Sequence, residues 1–133
     1  MKRGTVLFHV RFRFKNGATG KKLIITLNEP TGTDPYLVVR TTSQQKNRPL
    51  QEGCHPDRGV FVLNAGHDWF EEKTWIQLHE VFEISLPSFL QDRFRKEVEV
   101  KATLKEQTIR AIVNCLKKSP DLTRYQQELL EKK

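Results

Sequence analysis

The chain has 133 residues, with 23 Lys or Arg against 16 Asp or Glu and a formal net charge of +7. Its length and its 37% hydrophobic content suit one domain with one core and exclude wholesale disorder, and no apolar run approaches the length of a membrane span. The positive balance favours polyanionic partners, and because Arg11, Arg13 and Lys15 interrupt any leader-type run after Met1-Lys2-Arg3, a cytoplasmic location without membrane association is expected.

The first element is the clearest strand. Val6, Phe8, Val10, Phe12 and Phe14 alternate with Leu7, His9, Arg11, Arg13 and Lys15, which predicts one apolar face and one basic face. Asn16 to Gly20 reads as a loop by turn chemistry. Leu23 to Leu27 is a short buried strand, Asn28 to Asp34 a turn, and Tyr36 to Thr42 a third strand. Ser43 to Gly59 is polar and turn-rich, a long loop with room for one short strand, and loops of that length are often functional. Val60 to Leu63 is a strand and Asn64 to Gly66 a turn. Thr74 to Ile84 alternates again, with a slip of phase near Glu80 that suggests a bulge.

Helices follow. Ser88 to Arg95 fits a short helix with Phe89, Leu90 and Phe94 on its apolar side, and Glu97 to Ala102 a strand or connector. Thr103-x-x-Glu106 has the form of a capping box, before the helical stripe Ile109, Ile112, Val113 and Leu116. Ser119 with Pro120 is expected to start a last helix, with Leu122, Tyr125, Leu129 and Leu130 as its stripe. About five or six short antiparallel strands followed by helices argue for an α+β fold in which the strands curl into a small barrel. Residues 1–118 form the barrel domain with its helix, and residues 119–133 are a helical extension of it.

The charge is unevenly placed. Seven Lys or Arg and no acidic residue lie between Met1 and Lys22, whereas Asp68, Glu71, Glu72, Glu80 and Glu83 accompany only Lys73 between positions 68 and 83. A positive and a negative side are expected. Cations beside the hydroxyl cluster Thr41-Thr42-Ser43 form a plausible phosphodiester site, and RNA is the ligand it suggests. The two cysteines, Cys54 and Cys115, have neither zinc spacing nor a disulfide framework. Cys115 reads as a small buried hydrophobe. Cys54 next to His55 makes a reactive thiolate conceivable, but adjacent turn residues rarely face each other. His9 is expected at the surface. Trp69 and Phe70 suit either base stacking or a buried role.

Together these residues resemble the MazF/PemK-like toxins. The opening Gly4-Thr5-Val6-Leu7 running to Phe12-Arg13-Phe14, the glycine loop with its basic pair, Leu37 to Gln44, and Trp75 to Ile84 follow that family's order of elements. The resemblance implies an SH3-like barrel, a homodimer, and metal-independent endoribonuclease chemistry on single-stranded RNA as the toxin of a toxin–antitoxin pair, with no cofactor. It aligns Lys21 with the family's catalytic Arg and Thr42 with its hydroxyl residue, with Ser43 beside it. Lys21-Lys22 stands where the family has Arg-Pro, and lysine lacks the planar fork of arginine. Arg11, Arg13, Lys15, Lys22, Gln44, Arg48 and His55 are the expected RNA contacts. The rival expectation is a catalytically silent barrel of the same kind that binds nucleic acid or a protein.

Overall fold

In the computed structural model, which describes residues 1–132, the strands β1 (Thr5–Arg13), β2 (Thr19–Thr26), β3 (Tyr36–Thr42), β4 (Gly53–His55), β5 (Val60–Leu63), β6 (Thr74–Ile84) and β7 (Val98–Thr103) form one antiparallel sheet. Its order is β4-β5-β6-β3-β2-β1-β7. Three helices complete the α+β fold: α1 (Leu86–Phe94), α2 (Glu106–Leu116) and α3 (Arg124–Glu131). No helix among the described residues is long and apolar enough to cross a membrane. The outermost strands β4 and β7 have no pairing with each other, so the ladder is open where a closed barrel was expected.

Both faces of the sheet are packed, which is why neighbouring residues of one strand are buried together. Val6, Ile25 and Val39 join α2 and α3 in one core, with Ile109, Ile112, Leu116, Leu129 and Leu130. Leu7, Ile24 and Val38 point the other way, into a second cluster with Phe12, Phe82 and Phe89 of α1. The expectation of one apolar and one basic face for β1 is therefore corrected. Between His9 and Phe12, β1 advances three residues while β2 advances two. That bulge inverts the alternation, so Phe12 and Phe14 lie on the same face as Leu7.

β6 carries the slip that its sequence suggested. Four residues, Leu78 to Val81, stand opposite the single Val39 between the pairs Val38↔Phe82 and Arg40↔Gln77. Gly59, at the turn into β5, sits at φ 63°, and a Cβ there would lie 2.8 Å from that of His79, so this close approach to β6 requires glycine.

The helix starts differ from the sequence reading. Thr103 ends β7 and caps nothing. The first residue before α2 is Lys105, whose N–H donates to the Asp68 carboxylate at 2.9 Å, while Glu106 pairs with Arg3. α3 begins at Arg124, not after Ser119, because Thr123 and Gln126 form a reciprocal capping box that satisfies two orphan donors. In α1 only Phe89 is buried; Leu90 and Phe94 are exposed. Tyr125 is likewise half exposed. The cysteines contradict the sequence reading outright: Cys54 of β4 and Cys115 of α2 are joined by a disulfide. Neither is a free thiol, and the bond ties an edge strand to the helical layer.

Candidate functional site

The site residues sit where β2 and β3 run out of their hydrogen-bonded ladder. The pairs Ile24↔Arg40, Ile25↔Val39 and Thr26↔Val38 set the register. Continued outward, it places Leu23 across from Thr41, Lys22 across from Thr42 and Lys21 across from Ser43. The Thr41 hydroxyl donates to the Leu23 carbonyl at 3.0 Å, in keeping with that register. Cross-strand partners and alternate residues share a face, and adjacent residues do not. Lys22, Arg40 and Thr42 thus belong to one face, and Lys21 to the other. By that register the lysine across from Thr42 is Lys22, one step from the Lys21 that the resemblance aligned with the catalytic position.

Thr42 and Ser43 are chemically distinct from Thr41, which is buried and spends its proton on the backbone. Thr42 is half-buried and its oxygen accepts the Gln44 N–H at 3.2 Å, which leaves its own proton free to be donated. Ser43 and Gln44 are exposed.

Partial burial first, then the charges of Arg40, Arg48 and Lys46, hold the Lys22 ammonium below the ordinary lysine value. Arg40 is offset by Glu80 at 3.0 Å. Among the described residues Lys22, Lys46 and Arg48 form no ion pair. Arg48 donates to the Gln44 carbonyl at 3.0 Å. The loop that carries Lys46 and Arg48 is pinned to β6 by the Trp75 indole N–H, which donates to Pro49 at 2.7 Å, and by Lys73, which donates to Leu50. Like charges are held together here by a fixed backbone, an arrangement whose repulsion an incoming anion relieves.

Lys21, Lys22, Thr42, Ser43 and Gln44 line one groove of about 690 Å³ together with Phe8, Trp69, Glu71 and Glu72. The expected segregation of charge into a positive and a negative side does not hold: Glu71 and Glu72 share this groove with the lysines, and Glu80 pairs with Arg40.

The remaining predicted contacts lie apart. Arg11, Arg13 and Lys15 line a second groove, of about 600 Å³, between β1, the end of β6 and α1. Two residues of this second groove, Phe14 and Phe82, have ring centres 5.4 Å from the Arg40 guanidinium, and Lys15 approaches Phe82 at 5.5 Å. His55 is not in either groove, and its Nε2 donates to the Gln51 carbonyl at 2.8 Å. His9, expected at the surface, is 4% exposed. Its Nδ1 accepts the Arg11 N–H at 3.0 Å, which assigns the proton to Nε2, and that nitrogen donates to Asp92 at 3.0 Å. With both nitrogens occupied, His9 is a structural bracket between β1 and α1.

Sequence reasoning missed Arg40 and Lys46. Arg40 had a readable signal, since it stands two residues before Thr42 on a strand and must share its face. Lys46 had none, because only the folded loop brings it to Lys22. No protein-family model matches the chain, and no curated protein matches it.

Proposed function

We propose that this protein binds single-stranded RNA at the end of β2 and β3 and cleaves it without a metal, as an endoribonuclease of the MazF/PemK kind. The observation that carries the reading is Lys22, held with Lys46, Arg48 and Arg40 in a cluster short of counter-charge and lining the same groove as Thr42. A phosphodiester supplies the missing negative charge and accepts the free hydroxyl proton.

The chemistry follows from the same groups. Attack of a 2′-hydroxyl on the adjacent 3′-phosphorus, its proton passing to solvent water, expels the 5′-oxygen and leaves a 2′,3′-cyclic phosphate and a 5′-hydroxyl. Lys22, with its weakened hold on a proton, protonates the leaving oxygen. Thr42 donates to a nonbridging oxygen, and Arg48 and Lys46 offset the charge that builds there. Lys21 and Ser43, on the opposite face of the strand ends, hold the neighbouring part of the strand. An SH3-like arrangement of the strands, a homodimer and an antitoxin partner belong to this same reading.

A second reading, a catalytically silent protein of the same kind that binds RNA without cutting it, is favoured by two observations: His9 and His55 are both engaged with the protein, and lysine stands where the resemblance has an arginine fork. Incubation of single-stranded RNA with the protein in excess chelator separates them. The nuclease reading expects cyclic-phosphate ends and a loss of at least about a hundredfold in rate for both Lys22→Ala and Thr42→Ala. RNA that is bound but uncut gives the second reading. Cutting unchanged by either substitution overturns the assigned site.

A further inference from the structure

Trp69 is a large aromatic residue left 37% exposed, yet it is not loosely held. The turn that carries it is closed by Gly66 N–H to the Phe70 carbonyl at 2.9 Å and His67 N–H to the Asn64 carbonyl at 3.0 Å. Glu52 accepts from the Asn64 N–H at 2.7 Å and from His67 Nδ1 at 2.9 Å, and its carboxyl is held below the ordinary value by those bonds, the backbone one foremost. The adjoining Asp68 adopts φ 56° and accepts the Lys105 N–H at 2.9 Å. Under the indole, Phe70 is buried and meets it edge-on at 5.3 Å. Three separate elements thus fix an aromatic ring that faces the groove. The other tryptophan, Trp75, is 3% exposed with its N–H bonded, which is the ordinary fate of this residue in a core.

The chemistry of the groove narrows its ligand. Lysines alone would suit any polyanion. Glu71 and Glu72, which line the same groove, would repel one, unless the ligand also carries hydrogen-bond donors. A nucleotide has all three parts: an anionic phosphate, a flat π-face, and, in some bases, a donor edge. Resting on the RNA reading above, we infer that this end of the groove is a nucleobase subsite. The base stacks on Trp69, its phosphate meets Lys21, and its donor edge meets Glu71 and Glu72. Guanine, with N1–H and N2–H side by side, satisfies a carboxylate with two parallel bonds. Uracil presents a single imide donor flanked by carbonyl oxygens that a carboxylate repels. The subsite therefore prefers guanine.

The test uses tryptophan emission of the full chain, titrated with 2′-O-methyl hexauridylate and with the same hexamer carrying one guanosine; methylation blocks cleavage. The guanosine hexamer is expected to quench emission and to bind about tenfold more tightly. Trp69→Ala should weaken its binding by roughly five- to a hundredfold, read by anisotropy of a labelled strand, while Trp69→Phe holds it within about threefold. Glu71→Gln with Glu72→Gln should remove the preference for guanosine without weakening the uridine strand. Unchanged thermal unfolding of Trp69→Ala checks that the loss is not one of folding. Binding that falls in Lys22→Ala but is indifferent to Trp69→Ala overturns the subsite and leaves the RNA reading intact. Failure of every strand to bind overturns both. Quenching by a short arginine peptide in place of RNA assigns the indole and carboxylates to a different ligand and overturns the subsite as well.

Discussion

The two faces of the sheet are built from the same strands and serve opposite ends. On one, Val6, Ile25 and Val39 meet the aliphatic stripes of α2 and α3, and a disulfide fastens the layer to β4. On the other, α1 covers only part of the strands, and towards the open end cations lie over aromatic rings: Arg40 over Phe14 and Phe82, Lys15 over Phe82. The first face buries apolar area and carries stability. The second leaves Lys22, Lys46 and Arg48 without counter-charge, which costs stability and suits an anion. The difference teaches that adjacent residues of a strand can be under separate demands: Ile24 and Ile25 fill two cores, while Lys22 and Lys21, two and four positions earlier, supply charge to a groove.

Two perturbations would break that division or sharpen it. The larger is loss of the disulfide. Closing a loop of this length contributes about 4 kcal/mol in the chain-entropy description, so reduction, or Cys54→Ala with Cys115→Ala, should lower the denaturation midpoint accordingly. RNA affinity, measured by anisotropy well below the new midpoint, should stay within about twofold. A parallel loss of affinity would show that the two faces are not separable. The bond also bears on location: in a reducing cytoplasm thiols are kept reduced, so there the weaker, dithiol form is the resting one.

The smaller effect is at Lys22 and has opposite signs in its two readouts. Its folded-state value lies below the unfolded 10.5, so the unfolded chain binds more protons between those values, and stability rises with pH across that window. The cost of the charged ammonium is fully present below the folded-state value and is gone above 10.5. Lys22→Met should therefore raise the melting temperature slightly at neutral pH, with the gain fading as pH approaches 10.5, while weakening RNA binding. A variant that loses stability at neutral pH would mean that Lys22 is a structural residue. In the wild type, affinity for RNA should fall with rising pH earlier than an ordinary lysine would allow.

Much of the strand plan was legible, because period-two patterns bounded by turn residues are local. Tyr36–Thr42, Val60–Leu63 and Thr74–Ile84 lie where their patterns place them, and the slip near Glu80 is a real irregularity of pairing. What failed depended on distant partners. The bulge between His9 and Phe12 inverts the faces of β1, and nothing in β1 alone announces it. Leu90 and Phe94 fit a helical stripe, yet α1 touches the sheet chiefly through Phe89. Thr103 and Ser119 have the residue types of caps, but Asp68 and Thr123 supply the hydrogen bonds at those helix starts. The pairing of Cys54 with Cys115 depends on α2 crossing β4, a tertiary fact. At the site, the cluster of lysines and hydroxyls was readable as a cluster. Which lysine faces which hydroxyl was not, since one residue more or less in the turn between β2 and β3 would exchange them.

The salt dependence of RNA binding tests the central claim most directly. Each phosphate contact on a single strand contributes about 0.7 to the slope of log affinity against log salt. Replacing Lys22, Lys46 and Arg48 together by Ala should reduce the magnitude of that slope by about 2, with the melting temperature unchanged or raised. A slope identical to that of the wild-type protein would contradict the account, because those three cations would then touch no phosphate.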